Sequence, residues 1–157
     1  MLRFHNYDIV FQEIPSEVTL AINISGCPNR CKGCHSPHLW NDIGKVLDES
    51  SIAVLMEKYG NAITCICFMG GDSEPDEVDR LAVHLRRSIK QPIKTAWYSG
   101  KQNIPKSCNL HNFDYIKLGA YIEELGGLDS PKTNQRLYKI TNEQMEDITN
   151  HFQKQKQ

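Results

Sequence analysis

VTLAINISGCPNRCKGC, residues 18–34, is the stretch whose reading decides the fold. Val18, Leu20, Ile22 and Ile24 alternate with Thr19, Ala21 and Asn23, a period of two that predicts a strand. The strand runs straight into a loop that holds Cys27, Cys31 and Cys34, with His35 and His38 just behind. A strand delivering three thiols into one loop makes this loop the first candidate for chemistry.

Working outward, YDIVFQEI (7–14) predicts a preceding strand turned at Pro15–Ser16. Ile52, Leu55, Met56 and Tyr59 fall at helical spacing, with Ser50 or Ser51 as N-cap and Gly60–Asn61 as the stop. TCICFMG (64–70) reads as a strand buried on both faces, as in a parallel sheet. Val78, Leu81, Ala82, Leu85 and Ile89 mark a second helix, capped by Ser73 with Asp76. Strands follow at 93–100 and 114–121, and 101–113 has no helical period. A last helix is expected from Thr141, with Gln144 completing a capping box and Met145, Ile148 and Phe152 as its apolar face. Strands alternating with helices predict an α/β domain with a mainly parallel sheet. Right-handed crossovers bring the strands' C-terminal ends to one edge, where ligands gather. The cysteine loop, Gly70–Gly71–Asp72 and Ser99–Gly100 all follow strands, so they are expected to converge there.

The 157 residues suit one domain, 1–157, with 152–157 as a frayed tail. The formal net charge is −1 with no long basic run, which disfavours a nucleic-acid surface. No apolar run approaches membrane-spanning length, and MLRFHNYDIVFQEI lacks the pattern of a signal peptide. The expectation is a cytoplasmic protein. In such a reducing compartment clustered cysteines bind metal or do chemistry rather than pair. Cys65 and Cys67 read as small core residues, and Cys108 as a stray thiol.

Three readings fit the loop. A structural zinc site would join the three thiols to His35 or His38, although closed zinc sites draw ligand pairs from separate turns. Redox chemistry at Cys31–Cys34 would leave Cys27 without a role. An iron–sulfur cluster held by three thiolates keeps one iron open, a position a substrate can take.

The spacing C-x3-C-x2-C at Cys27, Cys31 and Cys34 resembles the cluster motif of the radical S-adenosylmethionine (SAM) enzymes. The resemblance implies a 4Fe-4S cluster whose open iron chelates SAM. One electron then breaks the carbon–sulfur bond, leaving methionine and a 5′-deoxyadenosyl radical. MGGDSEP (69–75) resembles the family's segment that contacts the SAM amino group: Gly70 and Gly71 match, and Asp72 or Glu74 takes the acidic place. Gly33 stands where the family often has an aromatic residue, so His35 either stacks on the adenine or caps a carbonyl. His38 and Trp40 read as loop packing. Ser99 ends the third strand of the repeat on the ligand edge, and only one of Trp97 and Tyr98 can line it. Lys117 either faces the SAM carboxylate or snorkels from the sheet surface.

Full radical SAM barrels are longer, so the resemblance implies a trimmed partial (βα) barrel with an open side. CKGCHSPHLW (31–40) and GGLDSPKTNQRLYKI (126–140) are similar to segments of the anaerobic ribonucleotide reductase activating proteins. That similarity implies hydrogen abstraction from one glycine of the reductase's glycyl radical subunit, and a low-potential donor such as flavodoxin or ferredoxin. Thr133–Arg136 then touches SAM or the partner, or simply forms a turn. The competing expectations are a radical SAM enzyme acting on a small molecule and a non-catalytic zinc-binding module.

Overall fold

The strand read from the 18–24 alternation forms as Thr19–Ile24, the second of eight. The structure is a computed structural model and describes residues 1–88 and 92–153. The strands are β1 (Leu2–Val10), β2 (Thr19–Ile24), β3 (Lys45–Leu47), β4 (Cys65–Met69), β5 (Lys94–Tyr98), β6 (Tyr115–Leu118), β7 (Arg136–Thr141) and β8 (Gln144–Asp147). They make one sheet in the order β3-β1-β2-β4-β5-β6-β7-β8, open at both edges. Neighbours from β2 to β6 are parallel. Every other pair is antiparallel. The expected mainly parallel sheet is therefore corrected to a mixed one with a parallel centre. The short connections β1–β2 and β7–β8 permit only antiparallel neighbours.

The period-two pattern divides the sheet into two faces. Leu20, Ile22, Ile24, Ile66, Phe68, Trp97, Ile116 and Leu118 pack in one core with helices α1 (Glu49–Tyr59) and α2 (Pro75–Ser88). Cys65, Cys67, Ala96 and Tyr115 lie on the opposite face, covered by Ile14, Leu128, Ile148 and Phe152. Cys65 and Cys67 are fully buried, as small core residues should be. Because both long helices lie on one face, the other stays open near the strands' C-terminal ends.

Several sequence expectations change. Strand β1 begins at Leu2 because Leu2 and Phe4 are buried, and it stops at Val10. The turn at Pro15–Ser16 forms, with Ile14 O accepting from Glu17 N–H at 3.2 Å. The N-cap of α1 is Asp48 rather than Ser50 or Ser51; Asp48 Oδ1 accepts from Ser51 N–H at 2.9 Å, and Ser51 completes the capping box from N3. Pro75 opens α2, so Ser73 and Asp76 do not cap it; Asp76 accepts instead from Ser107 Oγ. Ile89, expected on the face of α2, lies outside the described residues, as do residues 154–157 of the expected tail. Phe152 and Gln153 belong to a short helix, α3 (Asn150–Gln153).

The helix expected from Thr141 is replaced by the β7–β8 hairpin. Thr141 and Gln144, read as a capping box, are its last cross-strand pair. Asn142 (φ 51) and Glu143 (φ 65) form the two-residue turn, the left-handed geometry that matches strand twist. Met145 is 37% exposed on β8 and supplies no apolar helix face.

At the other end of the parallel strands, the buried Glu17 carboxylate accepts from Lys94 Nζ at 2.8 Å, Thr64 Oγ1 at 2.8 Å and Tyr115 OH at 3.0 Å. Burial pushes its pKa up, but these hydrogen bonds and the Lys94 charge outweigh burial and hold it below the ordinary carboxylate value. Its stabilisation is present above the unfolded pKa and is lost as pH falls through the lower folded one. Glu17→Gln should cost roughly 1–3 kcal/mol at pH 7 and flatten the acid limb of the unfolding curve. Chemical denaturation across pH 3–7 reads both effects.

Candidate functional site

The cysteine loop is a closed excursion between β2 and β3. Its neck is stapled by backbone bonds from Gly26 N–H to Asn41 O at 3.0 Å and Cys27 N–H to Leu39 O at 2.9 Å. Ser25 Oγ donates to Ile43 O at 2.6 Å below them. A 3-10 turn at Pro37–Trp40 reverses the chain. Cys27, Cys31 and Cys34 are half-buried free thiols. Two sulfurs accept N–H bonds: Cys27 Sγ from Asn29 Nδ2 at 3.6 Å, and Cys34 Sγ from Ser36 N–H at 3.4 Å. The indole N–H of Trp40 is buried in the same loop without an acceptor among the described residues. Among those residues, no three His, Cys, Asp or Glu side chains gather as a metal-binding group. The histidines of the zinc reading face other rings: His35 lies 5.4 Å from Tyr121 and His38 lies 5.0 Å from His5.

Three strand ends converge on Asp72. Its Oδ2 accepts from Asn29 Nδ2 at 2.6 Å and from Gly100 N–H at 2.7 Å, and its Oδ1 from Ser99 Oγ at 2.5 Å. The loops after β2, β4 and β5 are thus tied through one carboxylate. Ser99, 1% exposed, accepts from Lys101 N–H on the same hydroxyl, so it braces the edge. Glu74, the other acidic candidate, is taken by the N-terminal ammonium of Met1. Gly71, at φ +95, is required sterically as well, since a Cβ would stand 2.5 Å from Val78 Cγ2. Gly70 O accepts the Trp97 indole N–H at 2.8 Å. That carbonyl serves the sheet edge, and Trp97 is buried on the helix-covered face.

A cavity of about 590 Å³ opens beside Cys34 on the other face, lined by His35, Met69, Tyr98, Lys117, Tyr121 and Gln135 among others. Tyr98 is therefore the one of the expected pair that faces a cavity. Lys117 does not snorkel. It is 8% exposed, donates to Ser99 O at 3.1 Å and Gly119 O at 2.9 Å, and lies 5.8 Å over the Tyr98 ring. Burial drives its pKa down to about 8, against the opposing pull of Asp72, Cys31 and Cys27. Gly33 (φ +77) is exposed, and Glu123 packs over it. The cavity therefore gathers Cys34 and His35, but not Gly70, Gly71, Asp72 or Ser99. A second cavity of about 590 Å³ lies across the end of β6, lined by residues including Gly100, Gly119, Asn134 and Arg136, with no cysteine. Thr133–Arg136 runs between the two: Thr133 Oγ1 donates to Gly126 O at 3.1 Å, and Asn134 Nδ2 to Ala120 O at 3.0 Å.

Sequence reading missed Asn29 and Tyr121, whereas Met69 and Gln135 fall inside the 69–75 and 133–136 segments it singled out. Asn29 stands between two ligand-spaced cysteines, and Tyr121 lies three residues past the end of β6; both positions carried the signal.

Lys117 makes a pH test. A buried amine whose folded pKa is lowered binds fewer protons than the unfolded chain between about 8 and 10.5, so the Lys117 contribution to stability rises through that window. The stability of the wild type relative to Lys117→Met should grow by about 3 kcal/mol between pH 7 and 10.5. Urea unfolding of both metal-free proteins measures it; a constant difference would contradict the buried ammonium.

A model of the 4Fe-4S single cluster domain family matches residues 17–107. That span holds five of the six cysteines, all but Cys108. No curated protein matches the chain, and no solved structure does. No helix among the described residues is long and apolar enough to cross a membrane.

Proposed function

The chain belongs to the 4Fe-4S single cluster domain family, and from that premise we propose that it is a radical SAM activase. It holds the cluster on Cys27, Cys31 and Cys34, cleaves SAM reductively and generates a glycyl radical on an anaerobic ribonucleotide reductase. The observation that carries this reading is the cavity shared by Cys34 and Lys117 at the C-terminal edge of the parallel strands. We read the four parallel strands, with α1 and α2 on one face, as a trimmed partial (βα) barrel of the radical SAM type.

The residues present fit the cluster in kind. Three soft thiols share one loop, two of them already accept N–H bonds on sulfur, and a buried indole N–H lacks an acceptor among the described residues. When bound, the cluster supplies one electron and, with only three protein thiolates, an iron position open to SAM.

The chain's own residues do the rest. The cavity volume is within the roughly 300–1,000 Å³ of small-molecule sites. Lys117 spends two of its three N–H donors on carbonyls, which leaves one for a ligand carboxylate. His35 and Tyr121 offer flat faces at the cavity wall for a purine. Of the two acidic candidates, Asp72 is the one tied to the cysteine loop, through Asn29, whereas Glu74 is engaged by the Met1 ammonium; Asp72 acts here as the brace of that loop. Lys32, Gly33 and His35 are exposed on either side of Cys34, which favours a macromolecular substrate that closes the site over a small molecule that must be enclosed. A glycine can enter because its backbone carries no side chain. In this reading the protein works in the cytoplasm, and a low-potential flavodoxin or ferredoxin delivers the electron.

The test uses anaerobically reconstituted protein. With dithionite and SAM it should release 5′-deoxyadenosine, and with the reductase it should give a glycyl doublet by electron paramagnetic resonance. SAM cleavage without the doublet would shift the reading to another substrate. A colourless zinc protein would end it.

A further inference from the structure

We infer that Asn29 is a positioning residue that fixes Cys27 against the sheet edge and sets the reduction potential of the cluster, an assignment that rests on the cluster reading above. Its Nδ2 carries two hydrogens and faces two acceptors at once, Asp72 Oδ2 at 2.6 Å and Cys27 Sγ at 3.6 Å. Of the two N–H donors on loop sulfurs, this is the one anchored outside the loop, since Ser36 donates to Cys34 from the loop backbone. Asp72 is itself held by Ser99 Oγ and Gly100 N–H, so the amide is oriented by the ends of β4 and β5.

Gly100 completes the seat. A Cβ at residue 100 would stand 2.5 Å from Asn29 Nδ2 and 3.1 Å from its Cγ. The carboxamide can thus point at both acceptors only while residue 100 has no side chain. An N–H bond to a thiolate sulfur stabilises the more negative, reduced state of a cluster and raises its potential. The Asp72 carboxylate takes the other N–H of the same amide and so holds the carboxamide in the orientation that faces the sulfur. Asn29 therefore links the residue bridging three strand ends to the first thiol of the motif.

Two variants remove the donor by different routes. Asn29→Leu replaces the carboxamide by an apolar group of similar size, and Gly100→Ala displaces the carboxamide while leaving it chemically intact. Both should retain iron, and both should make one-electron reduction about tenfold less favourable, a shift of ~59 mV to more negative potential. Redox titration monitored by electron paramagnetic resonance reads the potential. Wild-type potentials in both would overturn the assignment. If Asn29→Leu takes up no iron, Asn29→Gln decides: restored uptake supports a donor requirement, and failed uptake contradicts it. In the metal-free protein, Cys27→Ala should shift one Asn29 carboxamide proton resonance and leave the Asp72-bound one. If neither moves, the Asn29–Cys27 contact is refuted. If the wild type binds no iron while the resonance does move, the cluster reading fails and the contact stands.

Discussion

Cys31→Ala should fold, yet retain less than about a tenth of the wild-type iron and release no detectable 5′-deoxyadenosine with dithionite and SAM. Folding survives because Cys31 is half-buried in a loop outside both core clusters. The metal site does not survive, because two thiolates cannot hold a cubane that normally takes four. Cys65→Ala is the matched control. That thiol is buried in the sheet, and burial drives its pKa up to about 12, so it is a packing group and not a ligand. Its loss should cost roughly 1 kcal/mol of stability and leave the iron in place. Iron analysis of the two variants separates the roles, and Cys31→Ala retaining full iron and SAM cleavage would contradict the ligand assignment.

Asp72→Ala has the second-largest expected effect, for a different reason. Asn29 Nδ2, Ser99 Oγ and Gly100 N–H all lose their acceptor at once. Ser99 is buried, so its hydroxyl cannot turn freely to solvent. One orphaned buried donor costs roughly 1–3 kcal/mol, and three that share a partner do not add in full. A loss of about 3 kcal/mol in urea unfolding of the metal-free protein is expected. The cysteine loop is then no longer tied to β4 and β5, and SAM cleavage should fall at least ~100-fold. Asp72→Asn keeps one acceptor oxygen and should lose less of both. Unchanged stability in Asp72→Ala would show that the brace carries no energy.

The central strands were legible because their alternation is unambiguous. Leu20, Ile22 and Ile24 against Thr19, Ala21 and Asn23 lead straight to β2, and the apolar 64–70 run leads to β4. The three loops of the candidate site follow from that, since parallel strands put their C-terminal ends together. The last hairpin was hidden by ambiguity in short polar patterns. Thr141 and Gln144 sit three apart, as in a capping box, but the same spacing frames a two-residue turn. Asn142 tolerates φ > 0, whereas Glu143 gives no such signal in the sequence. Within the site, the placement of three thiols in one loop straight after β2 was readable from the sequence. The burial of Lys117 was not, because a lysine in a strand looks the same whether its amine reaches water or two carbonyls. The engagement of Asp72 by Asn29 was equally hidden, since it joins residues 43 apart in sequence.

The central claim is a cluster with one iron left for SAM. Mössbauer spectroscopy of anaerobically reconstituted protein, before and after SAM is added, tests it most directly. The account predicts about four irons per chain and one iron subsite whose signal shifts when SAM binds. Four iron sites unmoved by SAM, or zinc in place of iron, would contradict it.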